Sequence, residues 1–236
     1  YDENGTPYLD FYAGIAVNSA GNCNEKVVAA IREQVGDIIH TFNYPYTIPQ
    51  ALLAEKICTT IGMDKIFFQN SGAEANECAV KIARRWGVLN GKGSRIITLD
   101  NSFHGRTLTT LAATGQDVFH VHFTPLTEGF VYAEANNIES VRALADDSVC
   151  AVMMEMVQGE GGVIPMDEAF VREVRALCDE KKMLLLIDEV QTGVGRTGTF
   201  YAYQGYGIEP DVVTTAKGIA GGLPMGGFMA GEKTAH

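Results

Sequence analysis

Two short runs of apolar and β-branched residues constrain the fold of this chain most strongly. The run 184–187, with the sequence LLLI, ends at Asp188, and the run 212–216, with the sequence VVTTA, ends at Lys217. Runs without polar alternation are typical of parallel strands that helices cover on both faces. The sequence therefore predicts a parallel sheet in which Asp188 and Lys217 each lie at the end of a buried strand.

Asp188 and Lys217 each have a structural interpretation and a chemical one. An acidic residue where a strand reaches solvent, or a lysine in a loop, is commonly a solvated charge. Pyridoxal phosphate, however, needs a lysine amine to hold its aldehyde as a Schiff base and a carboxylate to keep its ring nitrogen protonated. Lys217 also precedes Gly218, Gly221 and Gly222, which leave room for a bulky ligand. We therefore predict that Asp188 and Lys217 are the catalytic residues of a pyridoxal phosphate enzyme.

The segment Ser71-Gly72-Ala73 is a candidate phosphate site. It follows the apolar segment 66–68 and opens a helical pattern over residues 75–89. Ser71 is a typical N-cap, and Gly72 and Ala73 leave backbone N–H groups accessible at the positive end of the helix dipole. Such groups bind phosphate, although a capped helix without any ligand would have the same sequence.

A loop predicted after the strand 95–99 carries two further candidates, Phe103 and Arg106. The ring of Phe103 could stack on a flat heterocycle, and the planar guanidinium of Arg106 could bind a carboxylate. A phenylalanine at the edge of the core and a surface arginine are the structural alternatives.

Several motifs along the chain resemble those of class III pyridoxal-phosphate aminotransferases and, within that class, the acetylornithine aminotransferase group. They are YLDFYAGIAVNSAG, SGAEANECAVKIAR, SFHGRT, EMVQGEGGV, LLLIDEVQTGVGRTG and TTAKGIAGGLPMGG. The motifs occur in the order and at about the spacing of the family over nearly the whole chain, and together they are more specific than any one of them. The segment 21–25, GNCNE, lacks the histidines and the proline of the family's common GHxHP turn.

The resemblance implies an α/β architecture: the large domain of fold type I, with a mainly parallel seven-stranded sheet and helices on both faces. The alternation of helical patterns with short buried runs agrees with this architecture. The predicted strands lie near residues 65–69, 95–99, 121–124, 149–156, 183–188, 211–215 and 226–230. A helix is also predicted from Glu25, with Asn24 as its cap.

The resemblance further implies a division into domains. Residues 1–45 are expected to form an N-terminal segment that is part of the small domain, and residues 46–236 an incomplete cofactor-binding large domain. The chain is expected to be truncated at both ends and to lack the C-terminal small domain. In the family a phosphate-binding threonine comes from the neighbouring subunit, so we expect a homodimer with the site at its interface.

The matching motifs assign cofactor roles to individual residues. By resemblance, Lys217 holds pyridoxal phosphate and, once the substrate frees it, moves the proton, while Asp188 pairs with the pyridine nitrogen. Gln191 is expected to hydrogen-bond near the phenolic oxygen of the ring. The other expected cofactor-binding residues are Ser71, Gly72 and Ala73 at the phosphate and Phe103 over one ring face.

Arg106 and Glu160 are the expected substrate-binding residues: Arg106 binds a substrate carboxylate, and Glu160 lies near the substrate pocket. The resemblance implies transfer of an amino group from N-acetylornithine, or a related ω-amino acid, to 2-oxoglutarate, as in arginine biosynthesis. Ornithine or 4-aminobutyrate transamination, and an aminomutase activity, remain alternatives on the same scaffold.

Two readings outside this class are also considered. A nucleotide-binding α/β protein would explain the sheet, but the sequence has no G-x-G-x-x-G after a first strand and no G-x-x-x-x-G-K-[ST]. A relative that keeps the fold only for interaction would be expected to have an altered Lys217 or Asp188, and both are intact.

Composition narrows the classes of partner. The formal net charge of −11 argues against a nucleic acid or an anionic membrane surface as partner, since both need a basic face. No stretch approaches the ~20 apolar residues of a membrane span. The five cysteines show no paired metal-ligand spacing and fit buried thiols in a reducing compartment. We therefore expect a cytoplasmic protein without a metal site.

Overall fold

A computed structural model describes residues 1–42 and 44–235. Its helices are α1 (Ala13–Ala16), α2 (Glu25–Asp37), α3 (Ile48–Ile61), α4 (Gly72–Leu89), α5 (Leu108–Ala113), α6 (Asp117–His120), α7 (Ile138–Leu144) and α8 (Glu168–Lys181). Its strands are β1 (Lys65–Gln69), β2 (Arg95–Leu99), β3 (Phe130–Ala133), β4 (Val149–Glu155), β5 (Val157–Gln158), β6 (Ile164–Pro165), β7 (Leu184–Asp188), β8 (Val212–Thr215) and β9 (Gly226–Ala230). Short 3-10 helices cover Ala202–Tyr206 and Lys217–Ala220.

One seven-stranded sheet forms the centre of the fold, in the order β1-β9-β8-β7-β4-β2-β3. The strands from β8 to β3 pair in parallel, whereas β9 is antiparallel to both β1 and β8. The prediction of a mainly parallel seven-stranded sheet is therefore confirmed. Because parallel strands bring their carboxyl ends to one edge, the residues that follow β2, β4, β7 and β8 converge there.

Helices cover the sheet on both faces, as predicted. Helix α4 packs Ala79, Val80 and Ala83 against one face, which includes Leu184 and Leu186 of β7. The alternate residues of β7 belong to the other face, where α8 packs. Every residue of β7 is buried, and burial on both faces explains why this run shows no polar alternation.

The predicted strand near residues 121–124 is wrong, because the remaining strand of the sheet is β3, at Phe130–Ala133. Residues 121–124 follow the short helix α6, and His122 has a left-handed φ of 72° that interrupts an extended segment. Strand β3 instead pairs in parallel with β2, and its last residue, Ala133, is fully buried.

Two helix starts agree with the sequence. Asn24 caps α2 with its side chain, as predicted. The hydroxyl of Ser71 accepts a hydrogen bond from the N–H of Glu74 at 3.2 Å and caps α4. Helix α4 begins earlier than the sequence pattern indicates, so Gly72 and Ala73 lie inside its first turn.

The described residues before 43 contribute no strand to the sheet. The domain boundary at residue 45 stays a prediction. Across the described ranges, no helix combines the length and the apolar character that crossing a membrane requires.

Candidate active site

A cavity of about 520 Å³ lies at the edge of the sheet where β4, β7 and β8 end. Its lining includes most of the predicted site residues: Ser71, Gly72, Ala73, Phe103, Arg106, Asp188, Gln191 and Lys217. Glu160 does not line the cavity, but its Oε1 accepts a hydrogen bond of 3.4 Å from Nε2 of Gln191. The structure thus gathers these residues in one place, while their individual roles stay predictions.

A larger cavity, of about 680 Å³, lies at the opposite edge of the sheet, near Asp64 and Asp211. Its arginine Arg175 already pairs with acidic residues, at 2.9 Å from Asp211 and 2.7 Å from Asp179. The smaller cavity is the better candidate, because its amine, on Lys217, makes no ion pair within the described residues, whereas the amine of Lys233 in the larger cavity pairs with Asp211 at 2.8 Å.

The Asp188 carboxylate lies at the centre of a buried hydrogen-bond network and is 4% exposed. Its Oδ2 accepts a hydrogen bond from Nδ2 of Asn76 at 2.7 Å and lies 2.8 Å from Nδ1 of His104. Its Oδ1 accepts a hydrogen bond from the N–H of Val190 at 3.0 Å. Because a carboxylate only accepts, Nδ1 of His104 carries the proton, and the donors together hold Asp188 in one orientation.

The hydrogen bond with Asp188 affects the titration of His104. Burial disfavours a charged imidazole, but the hydrogen bond to Asp188 and its charge, with a contribution from Glu155, outweigh that effect and raise the pKa of His104. Nε2 of the ring has no hydrogen-bond partner among the described residues. The only hydrogen bond of the ring within the described residues is therefore the one between Nδ1 and Oδ2 of Asp188.

Glu155, the last residue of β4, is a second carboxyl group in the cavity. It lies opposite Asp188 in the register of β4 and β7 and is 5% exposed. Its Oε2 accepts a hydrogen bond from the N–H of Phe103 at 3.0 Å, which ties the loop after β2 to the sheet. Burial raises the pKa of Glu155; His104 opposes this shift and Asp188 adds to it.

The amino end of α4 faces the cavity. Gly72 and Ala73 lie in the first turn, where backbone N–H groups have no acceptor within the helix. A Cβ atom on Gly72 would lie 2.7 Å from Cγ1 of Val190, so the absence of a side chain allows this close approach. The helix has 18 residues, and its dipole favours an anion at this end.

Lys217 follows β8 and begins a short 3-10 helix. Its φ of 48° is left-handed, a conformation that costs about 1–2 kcal/mol in a residue other than glycine. Burial lowers the pKa of Lys217, against the opposing charges of Asp188 and Glu160. A lowered pKa increases the fraction of neutral amine, which is the nucleophilic form.

Phe103 and Arg106 lie in the loop after β2. The rings of Phe103 and Phe119 meet edge to face, with centroids 5.5 Å apart, and the guanidinium carbon of Arg106 lies 5.6 Å from the Phe119 centroid. Arg106 is exposed and makes no ion pair with any residue in the described part of the chain. Its guanidinium can therefore bind an anionic group at the mouth of the cavity.

Comparison with known proteins identifies the family. The sequence profile described as Aminotransferase class-III matches residues 1–236. The chain belongs to this family. The acetylornithine aminotransferase of Methanocaldococcus jannaschii is 49% identical over 237 residues, and that of Wolinella succinogenes is 50% identical over 233 residues. These alignments cover 100% and 97% of this chain but only 60% and 59% of the two relatives.

Solved structures agree with the class-III fold. The ornithine aminotransferase from Toxoplasma gondii, whose active site holds pyridoxal phosphate at partial occupancy, matches with a TM-score of 0.94 at 31% identity. That match covers 99% of this chain and 57% of the other. The N-acetylornithine aminotransferase from Stenotrophomonas maltophilia matches with a TM-score of 0.85 at 39% identity, over 100% of this chain and 60% of the other.

The candidate site and its hydrogen-bond network include residues that the sequence did not single out: Asn76, His104, Glu155 and Thr214. Asn76 is a polar residue on the face of α4 that otherwise buries small apolar residues, and that contrast was an available signal. His104 lies within the SFHGRT motif, beside the predicted Phe103. Glu155 and Thr214 offered no comparable signal. Each lies opposite Asp188 through the register of neighbouring strands, which the sequence does not show.

Glu189 anchors the loop that carries Gln191. It is fully buried; its Oε1 accepts a hydrogen bond from the N–H of Tyr203 at 2.8 Å, and its Oε2 accepts one from the hydroxyl of Thr192 at 2.5 Å. Burial raises the pKa of Glu189 to about 7. The loop is therefore attached to the core through a carboxyl group that titrates near neutral pH.

Glu189→Gln should change the pH dependence of stability. The pKa of Glu189 is higher in the folded state than in the unfolded state. Its contribution to folding stability is therefore complete below about pH 4.5 and is lost as the pH rises through about 7. A shift of this size corresponds to about 3 kcal/mol. Glutamine can accept from Tyr203 and donate to Thr192, so it should keep both contacts without ionising.

Urea denaturation of the full-length protein at pH 5 and pH 8 measures this effect. We expect Glu189→Gln to gain stability relative to wild type at pH 8 but not at pH 5. Glu173→Gln, an exposed residue of α8, should shift neither value. An equal difference between Glu189→Gln and wild type at the two pH values would show that Glu189 ionises normally.

Gly72→Ala should destabilise the protein and weaken binding of phosphate-bearing ligands. The new Cβ would collide with Val190, which should cost about 1–3 kcal/mol and push the first turn of α4 out of place. Gly36→Ala in α2 is the matched control, because a Cβ there meets nothing within 4 Å. It should raise stability by about 0.5–1 kcal/mol. Denaturation midpoints and phosphate titrations measure both; unchanged phosphate binding in Gly72→Ala would contradict the assignment.

Proposed function

We propose that the protein uses pyridoxal phosphate to transfer an amino group from N-acetylornithine, or a related ω-amino acid, to 2-oxoglutarate, as in arginine biosynthesis. The observation that carries this proposal is that Lys217 and Asp188 line one cavity with the amino end of α4. The chain spans only about three fifths of the curated relatives, so the proposal concerns the full-length protein.

The hydrogen bonds of Asp188 fit a pyridine ring. A carboxylate offers about four acceptor positions. Asn76 and His104 use both positions on Oδ2, and the N–H of Val190 uses one on Oδ1. The position left on Oδ1 can accept a hydrogen bond from a protonated ring nitrogen.

The other ends of the cofactor also find suitable groups. The first-turn N–H groups of Gly72 and Ala73 can bind the phosphate. Lys217 can hold the aldehyde carbon through its amine. Val190 and Phe103 line the cavity and can cover the two ring faces, which would exclude water from the reacting bonds.

Bound pyridoxal phosphate supplies an electron sink that stabilises negative charge on the carbon beside the reacting nitrogen. The residues of this chain supply the remaining functions. The Nζ atom of Lys217, with its lowered pKa, can accept the proton from that carbon and return it. Asp188 holds the proton of the ring nitrogen in place, and His104 keeps the Asp188 carboxylate oriented.

Arg106 and Glu160 support a substrate that carries a carboxylate. The exposed guanidinium of Arg106 can bind that carboxylate at the mouth of the cavity. Glu160 contacts Gln191, so it sits between the cofactor region and solvent. The higher identity to acetylornithine aminotransferases favours N-acetylornithine over ornithine as the donor, and 4-aminobutyrate transamination and an aminomutase remain alternatives.

We further propose a cytoplasmic homodimer with the site at the subunit interface. Many large apolar side chains in the first part of the chain are more than four fifths exposed: Tyr1, Leu9, Phe11, Ile39, Tyr44 and Tyr46. A second copy would remove such side chains from water. The free cysteines support a reducing compartment.

Lys217→Ala should abolish the visible absorption band of protein-bound pyridoxal phosphate, because no other amine would hold the aldehyde. Wild-type full-length protein should show the band, and N-acetylornithine should bleach it at much lower concentration than ornithine does. Lys181→Ala, on the surface of α8, serves as the matched control and should behave as wild type.

The two halves of that experiment test different statements. A band that survives in Lys217→Ala would refute the cofactor assignment. Equal bleaching by ornithine and N-acetylornithine would still support an aminotransferase but would refute the proposed preference for N-acetylornithine.

Arg106→Ala should raise the KM for 2-oxoglutarate at least tenfold with a smaller change in kcat, because a charge-assisted contact to the substrate carboxylate contributes about 1.5–3 kcal/mol. Arg85→Ala replaces an exposed arginine of α4 and should leave both constants unchanged. Steady-state kinetics measure the effect, and a wild-type KM in Arg106→Ala would exclude Arg106 from substrate binding.

A further inference from the structure

We propose that Asn76 is a positioning residue of this site: it fixes the Asp188 carboxylate so that one lone pair of Oδ1 faces the ring nitrogen of pyridoxal phosphate. The inference rests on the proposed function, because it assigns a task to Asn76 only if that cofactor binds. It is carried by the hydrogen bonds of Asn76, which link helix α4 to three other parts of the chain.

Every polar atom of the Asn76 side chain has a partner, and the residue is 1% exposed. Its Nδ2 donates to the backbone oxygen of His104 and to Oδ2 of Asp188, both at 2.7 Å. Its Oδ1 accepts from the hydroxyl of Thr214, also at 2.7 Å. One amide therefore connects α4, the loop after β2, the end of β7 and strand β8.

The orientation of this amide follows from the chemistry of its partners. The carbonyl oxygen of His104 and the carboxylate of Asp188 can only accept, so the NH₂ group must face them. The carbonyl of Asn76 is then left for Thr214, whose hydroxyl can donate. Rotation of the Asn76 amide would leave buried polar groups without hydrogen-bond partners. The free-energy cost of such groups exceeds the net contribution of the hydrogen bonds themselves.

The position of Asn76 on α4 links the two ends of the proposed ligand. Gly72 and Asn76 are four residues apart and lie on the same helix face. One rigid helix thus presents the N–H groups for the phosphate and the amide that holds Asp188. The distance between the phosphate site and the ring-nitrogen site is therefore set within a single element.

A purely structural role for Asn76 is the competing explanation, since a buried asparagine with filled hydrogen bonds also stabilises a fold. The two roles differ in what they predict for binding. A structural residue should affect all cofactor-shaped ligands alike, whereas a residue that aims Asp188 should matter only for a ligand that has a ring nitrogen.

The test uses the full-length apoprotein and two probes: pyridoxal phosphate, and its analogue with carbon in place of the ring nitrogen. Dissociation constants come from fluorescence titration, and thermal unfolding of the apoprotein reports on folding. Wild type should prefer pyridoxal phosphate by about tenfold or more, as expected for a charge-assisted hydrogen bond. In Asn76→Leu that preference should fall to less than threefold.

Thr214→Val keeps the test decisive if Asn76→Leu does not fold, because it removes only the hydroxyl that anchors the Asn76 carbonyl. It should lower the preference for the ring nitrogen partially. Thr98→Val is the matched control: Thr98 is equally buried in β2, and its hydroxyl has no partner among the described residues. It should keep the full wild-type preference.

The possible outcomes separate the two proposals. If wild type binds neither probe, or binds pyridoxal phosphate without preference for the ring nitrogen, the proposed cofactor geometry fails. If wild type discriminates and both Asn76→Leu and Thr214→Val discriminate equally well, the cofactor assignment stands and the positioning role of Asn76 is refuted. Loss of preference in either variant with an intact Thr98→Val supports the role.

Discussion

The buried carboxylate of Asp188 is the constraint on which the rest of the site depends. An ionised group with 4% exposure is costly unless donors surround it. Here the donors come from different parts of the chain: Asn76 on α4, His104 after β2, and the N–H of Val190 beyond β7. Each donor reaches Asp188 only if its element packs at one position against the sheet. The hydrogen bonds that stabilise this carboxylate therefore depend on the packing of the whole fold.

Parallel strands make this arrangement possible. Their carboxyl ends meet at one edge, and the register places Glu155 of β4 opposite Asp188 of β7. Two ionised carboxylates so close would repel each other, and burial already raises the pKa of Glu155. Asp188 meets three hydrogen-bond partners, Asn76, His104 and Val190, whereas Glu155 accepts a hydrogen bond from the N–H of Phe103 and positions the loop after β2.

The sequence was informative where local chemistry determines structure. Runs of apolar and β-branched residues predicted β7 and β8, and Ser71 predicted the start of α4, because burial and capping depend on neighbouring residues. The strand predicted near residues 121–124 was wrong. The segment that pairs with β2 is β3, and this pairing depends on contacts between distant residues that a local sequence pattern does not show. The contacts of Asn76 with Asp188, 112 residues apart, were missed for the same reason.

Burial separates the residues that we propose hold the cofactor from those that we propose bind the substrate. The groups around Asp188 are enclosed and, apart from Nε2 of His104, hydrogen-bonded, so replacing one of them leaves an unpaired polar group. Arg106 and Glu160 are exposed at the mouth, where a substitution costs little stability. In the function that we propose, donor preference would therefore change through residues at the mouth, while the interior keeps one chemistry. In that proposal, the interior residues determine the class of reaction, and the exposed residues determine which amino donor enters.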